Sequence, residues 1–99
     1  MLRHVVCLTW TDTATPDQIE AVIAGLRALP AQIPEIRGYT VGSDLALTAG
    51  NADLGIVADF DTVDDWRTYQ EHPAHQAVIV ERIRPILAGR AAVQLDPGP

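Results

Sequence analysis

Two of the three histidines and one of the two tyrosines fall within seven residues, Tyr69-Gln70-Glu71-His72-Pro73-Ala74-His75. Imidazole titrates near neutrality, so one such group can both take and give a proton. A phenolic hydroxyl can polarise a carbonyl or hold a developing enolate or alkoxide. Tyr69 and His75 lie six residues apart with a proline between them, a spacing that lets them meet at the end of a broken helix as an acid–base pair. His75 is read as the acid/base, Tyr69 as its hydrogen-bonding and carbonyl-polarising partner. His4, the remaining histidine, is read as an orienting group from the first strand. Each also has a purely structural reading. His75 would cap the broken helix or hydrogen-bond to the backbone at the His-Pro turn, Tyr69 would be a core aromatic, and His4 would be a satisfied core or interface histidine on an apolar face. Convergence of the three in the fold makes a candidate active site, and hydrogen-bonding reach among them at an open apolar pocket decides for the acid–base reading.

A metal reading of His72 and His75, with Glu71 or His4, is weaker. Zinc needs three or four converging ligands, and a proline stands between these two. No metal is expected, and His72 is read as the anchor of the turn. Glycine-rich phosphate loops, nucleophile elbows and paired cysteines are absent, so no cofactor is expected.

Positioning these residues requires a specific order of elements. Leu2 to Trp10 reads as a strand, with Leu2, His4, Val6, Leu8 and Trp10 on one face and its centre apolar on both. Thr15, Pro16 and Gln18 form a capping-box helix start. Ile19, Val22, Ile23, Leu26 and Leu29 then make an apolar stripe that Pro30 and Pro34 end. Residues 36–44 fit a second strand, with Tyr39 as packing or rim, and Leu45 to Asp53 reads as a mobile turn region. Leu54 to Phe60 is a third strand, again apolar on both faces, with Asp59 opposite Leu54, Ile56 and Ala58 and free to pair with an arginine across a dimer. Thr62 caps a second helix carrying Val63, Trp66 and Tyr69. Pro73 disfavours helical backbone at His72, so the helix breaks there and restarts. A stripe of Val78, Ile79, Ile83, Ile86 and Leu87 follows, with Pro85 marking its end or a kink, and residues 91–96 form the last strand.

The order β-α-β-β-α-β defines an α+β, ferredoxin-like domain over residues 1–96 with a tail at 97–99. Its antiparallel sheet carries both helices on one face. Two helices cover one side only, while the first and third strands are apolar on both. A second copy of the chain, sheet against sheet, is the expected cover, giving a homodimeric α/β barrel.

Ninety-nine residues suffice for one domain. Seven arginines, no lysine and thirteen acids leave a net charge of -6, which argues against nucleic acid and anionic membrane surfaces as partners. Cys7 is alone and is expected to be a buried structural thiol. No apolar run reaches the length of a membrane span, and no signal peptide is evident, so a cytoplasmic protein is expected.

The opening Arg3-His4-Val5-Val6, the Gly42-Ser43-Asp44 turn and Asp59-Phe60-Asp61, followed by Tyr69 and His72-Pro73-Ala74-His75, resemble the stress-responsive A/B barrel (Dabb) family. The tyrosine ahead of the His-Pro-Ala-His segment is the most specific of these features. The resemblance covers nearly the whole chain and implies a dimeric α/β barrel. Many members are plant or bacterial proteins of unknown activity, some of them linked to stress tolerance. A plant branch consists of polyketide cyclases that close a poly-β-keto chain by intramolecular aldol condensation. In that branch a tyrosine and the second histidine of the segment form the acid–base pair, with a strand-one histidine nearby. These carry over to Tyr69, His75 and His4. A further histidine and tyrosine of those cyclases correspond to Leu54 and Leu26 here, which implies a drier pocket and a different substrate. Val6, Leu8, Ile23, Leu26, Leu54 and Ile56 are the expected apolar lining.

Three functions are therefore carried forward. The first is a cofactor-free acid–base enzyme of polyketide-cyclase type acting on a small hydrophobic carbonyl compound. The second is a non-catalytic ligand-binding or stress-response homo-oligomer. The third is a cofactor-independent monooxygenase, which shares only the order of elements.

Overall fold

The computed structural model spans Met1–Pro99 and holds one four-stranded antiparallel sheet in the order β2-β3-β1-β4. The strands are β1 (Leu2–Trp10), β2 (Gly38–Ser43), β3 (Leu54–Phe60) and β4 (Leu87–Leu95). α1 (Pro16–Arg27) and the single turn α2 (Leu29–Gln32) link β1 to β2. α3 (Val63–Glu71), α4 (Pro73–Val78), a π-helical turn (Ile79–Ile83) and a 3-10 turn (Arg84–Ile86) link β3 to β4. The fold is the ferredoxin-like α+β arrangement that the element order predicts.

Local chemistry sets the boundaries. Thr15 accepts from the Gln18 amide while the Gln18 side chain accepts from the Thr15 amide, completing the capping box with Pro16 at the first helical position. The Thr62 hydroxyl caps α3 through the Asp65 amide at 3.1 Å. His72 is extended at φ -63 and ψ 132 and separates α3 from α4.

The face of the sheet under the helices is the core. His4, Val6, Leu8 and Trp10 of β1 and Leu54, Ile56, Ala58 and Phe60 of β3 are all buried. They meet Val22, Ile23 and Leu26 of α1, Tyr69 of α3, Val78 of α4, and Ile83 and Ile86 beyond it in one cluster. The opposite face carries Val5, Cys7, Val57, Ala91 and Val93, whose register places Val5 between Val57 and Val93. No element of the chain covers that face, and Val93 is 51% exposed.

Several expectations are corrected. Cys7 is exposed, because it points to the uncovered face. Pro30 does not end the helical region. It lies in the first turn of α2, where its missing N–H costs nothing. β4 begins at Leu87, four residues earlier than expected. A bulge between Thr9 and Trp10 lets Trp10 pair with Leu87 and passes over Ala88, so the strand's alternation is broken at its start. The 45–53 turn is pinned, with Asp53 Oδ2 accepting from the Trp10 amide at 2.7 Å and the Asp53 amide donating to the Leu8 carbonyl at 2.9 Å. Asp59 pairs within its own chain, accepting from Arg3 Nε at 2.8 Å and Nη2 at 3.1 Å.

Thr15→Ala removes the hydroxyl acceptor of the capping box and should lower stability by about 1 kcal/mol. Urea unfolding of the variant checks this, and an unchanged midpoint would deny the cap its role.

Candidate active site

The helix-covered face does not close completely. A cavity of about 290 Å³ opens between the sheet and the segment from α3 to β4, and His4, Tyr69 and His75 all line it. Each arrives from a different element. His4 lies on β1 between Ala58 of β3 and Gln94 of β4. Tyr69 lies in the last turn of α3, and His75 in α4 after the break at His72.

Their contacts differ from the expected hydrogen-bonded pair. His75 stacks on Tyr69, with ring centroids 4.1 Å apart and planes inclined by 27°. The Tyr69 hydroxyl instead meets the Tyr39 hydroxyl at 2.9 Å. Tyr39 therefore belongs to the site's polar network and is more than rim packing. When Tyr39 donates in that pair, the Tyr69 proton is free for the pocket. His4 packs against both Trp66 and Tyr69, at centroid distances of 5.9 and 6.2 Å.

Hydrogen bonds distinguish the two imidazoles. His75 Nδ1 lies 3.4 Å from the Gln70 carbonyl oxygen. A carbonyl only accepts, so Nδ1 carries the proton and Nε2 keeps its lone pair. His4 Nδ1 lies 2.9 Å from Gln94 Nε2, an amide nitrogen that only donates. His4 therefore accepts at Nδ1 and carries its proton on Nε2. One ring presents a base, the other a donor.

Burial keeps both rings neutral. Desolvation first, then the charge of Arg90 and the repulsion that a protonated His75 would add, lower the His4 pKa to about 4. His75 is lowered from 6.5 by desolvation, against the opposing pull of the Gln70 and Tyr69 backbone. Burial pushes Tyr69 up to about 12 and Tyr39 further still, so both remain hydroxyl donors.

The apolar walls include Val6, Leu8, Leu26 and Ile56 as expected, together with Ile79, Ile83 and Leu87. Ile23 and Leu54 do not line the cavity and lie buried in the core. Gln70, Arg84 and Arg90 complete the lining and were not anticipated. Gln94, His4's partner, also escaped the sequence reading, since it is ninety positions away and joins only through the β1–β4 register. His72 anchors the turn, its Nδ1 accepting from the Ala74 amide at 3.0 Å. No three His, Cys, Asp or Glu side chains are grouped to hold a metal ion.

The topology and this pocket define a ferredoxin-like domain with a small-molecule-sized cavity between helices and sheet. The chain belongs to the stress responsive A/B barrel domain family, whose model matches residues 2–96. A dimeric ferredoxin-like protein of unknown function from Thermobifida fusca is 51% identical, with a TM-score of 0.88, covering 95% of this chain and 88% of that one. An uncharacterized protein of Streptomyces coelicolor is 32% identical over 79 residues, 78% of this chain and 81% of its own. Hydroxynitrile lyase from Passiflora edulis is 19% identical with a TM-score of 0.81, covering 95% of this chain and 90% of its own, a likeness of fold alone. No helix is long and apolar enough to cross a membrane.

The buried neutral His4 makes folding sensitive to acid. Between pH 6.5 and about 4 the unfolded chain binds a proton at His4 that the folded chain refuses. This contribution, on the order of 3 kcal/mol, is complete above the unfolded pKa and lost as pH falls through the folded one. His4→Gln should flatten the fall in unfolding free energy across that window. Equal slopes for the variant and the wild type would contradict it.

Proposed function

We propose that this protein is a homodimeric enzyme that performs cofactor-free acid–base chemistry on a hydrophobic carbonyl compound, of the polyketide-cyclase type. The observation that carries the reading is the convergence of His4, Tyr69 and His75 on one apolar cavity. Nε2 of His75 takes an α-proton, and the Tyr69 hydroxyl and His4 Nε2–H hold the oxygen on which charge develops. The resulting carbanion attacks a second carbonyl carbon of the same chain, forming a carbon–carbon bond. The proton from His75 then passes to the new alkoxide.

A histidine with a lowered pKa is a weak base. It suits an acidic C–H, such as one flanked by two carbonyls, and that favours a β-keto chain over a simple ketone. Because Tyr69 is stacked on His75 and bonded to Tyr39, it does not occupy the basic nitrogen. Leu26 on the wall supports a drier site than one with a further hydroxyl there. The cavity is at the small end of ligand sites, so a longer substrate would extend through the mouth. The non-catalytic alternative fits the same cavity without turnover. That alternative expects a filled or narrow interior with the histidines bonded to the backbone; the cavity of about 290 Å³ is small but open, and His75 Nδ1 does face the Gln70 carbonyl.

The uncovered sheet face supports the dimer. Val5, Val57 and Val93 form an apolar strip there, and Leu45 and Leu47 at 79% and 82% exposure extend the apolar surface in the adjoining loop. The Thermobifida fusca relative is itself dimeric. A second copy, sheet to sheet, would bury this face and Cys7 with it.

Cyclisation of a 3,5,7-trioxoalkanoic acid, offered free and as its thioester and closing a six-membered ring by attack of C2 on the C7 carbonyl, is followed by mass spectrometry and tests the chemistry. His75→Ala should lower kcat by about 10²–10⁴ and Tyr69→Phe by about 10² while both variants stay folded. Full turnover in His75→Ala, or none in the wild type, would sink the reading. Val57→Asp places a carboxylate at the centre of the open face, and native mass spectrometry should show it as a monomer. A wild type that is already monomeric would refute the assembly.

A further inference from the structure

Five of the seven arginines have partners in the fold. Arg3, Arg37 and Arg67 pair with carboxylates. Arg27 donates to the Val41 carbonyl and Arg82 to the Ala21 carbonyl. The side chains of Arg84 and Arg90 make no hydrogen bond or ion pair, although the chain has thirteen acids to offer. Both of these free arginines line the cavity, and no Asp or Glu does.

They reach it from separate elements, Arg84 from the 3-10 turn and Arg90 from β4 opposite Leu8. Both residues are exposed at the rim, while the interior beyond them is apolar. Within the cavity the only other polar side chains are those of His4, Tyr69, Gln70 and His75. The lining thus carries two positive charges and no negative one, on a protein whose net charge is -6.

We propose that the cavity selects an apolar compound bearing a carboxylate, with Arg84 and Arg90 holding the carboxylate at the mouth and the apolar body inside. The guanidinium group presents two parallel N–H donors that match the two oxygens of a carboxylate, and it stays charged at any physiological pH. Its position at the rim leaves the anion partly hydrated, which avoids the cost of burying a charge. Leu8, Ile79, Ile83 and Leu87 supply the apolar contact. The inference names the substrate class for the acid–base site and so rests on that reading. It places the carboxylate end of the substrate toward solvent and the reacting carbonyls toward His75.

Octanoate and octanamide share an apolar chain and differ in charge, and calorimetric titration of the dimer with each is the test. The wild type should bind octanoate about tenfold more tightly than octanamide, and Arg84→Gln and Arg90→Gln should each weaken octanoate about tenfold while leaving octanamide unchanged. Added salt should weaken octanoate alone. Equal binding of the two ligands, binding of neither, or octanoate affinity unchanged in both variants would overturn the assignment. His75→Ala should retain the octanoate preference. Retained preference with undiminished turnover in that variant would remove the acid–base role of His75 and leave the carboxylate site standing. In Arg84→Gln and Arg90→Gln the loss should also appear as a KM for an anionic substrate raised about tenfold, and an unchanged KM would overturn the assignment.

Discussion

The ring nitrogen of Pro73 has no hydrogen, and the ring denies His72 the helical conformation. The geometry of the pocket depends on that constraint. A continuous helix would place residue 75 about one and two-thirds turns beyond Tyr69 and rotate it away. The break at His72 instead lets α4 fold back beside α3, so that His75 lies face to face with Tyr69. It also leaves the Gln70 carbonyl without a helical partner. That oxygen accepts from the Gln76 side chain at 2.6 Å and faces His75 Nδ1 at 3.4 Å. The break at Pro73 therefore positions the histidine, and the Ala74 N–H, which an unbroken helix would give to Gln70, goes to His72 Nδ1 and leaves the Gln70 carbonyl to face His75.

The sheet completes the arrangement from the other side. β1 runs centrally, so His4 is flanked by strands and covered by aromatic rings. In that setting a charged imidazole would be costly, and the ring stays neutral. Gln94 from the edge strand meets it at a single nitrogen and thereby makes the other a donor. Two histidines of similar burial thus acquire opposite roles through the partner at Nδ1, a carbonyl for one and an amide N–H for the other. The tyrosine pair adds a hydroxyl that does not ionise near neutrality.

Much of this was legible in the sequence because the signals were local. The bounds of β1 and β3, the caps at Thr15 and Thr62 and the break at Pro73 each rest on a few adjacent residues. His4, Tyr69 and His75 could be brought to one place because the order of elements dictates which face the helices cover. What escaped depends on register between distant strands. Tyr39 reaches Tyr69 across thirty positions, and Gln94 reaches His4 only once β4 is aligned. Cys7 was misread because alternation cannot say which of two apolar faces lies under helices. The start of β4 was hidden by Leu87, which continues the helical stripe in sequence but begins a strand at a bulge. Arg84 and Arg90 gave no signal, since an arginine's partners, or their absence, exist only in the fold.

The central claim is that His75 and His4 are neutral rings in opposite tautomers, one a base and one a donor. Nitrogen NMR of the two imidazoles at neutral pH measures this directly, since protonated and bare ring nitrogens resonate far apart. The account requires His75 protonated at Nδ1 alone and His4 protonated at Nε2 alone. Imidazolium signals from either ring, or the same tautomer in both, would contradict it.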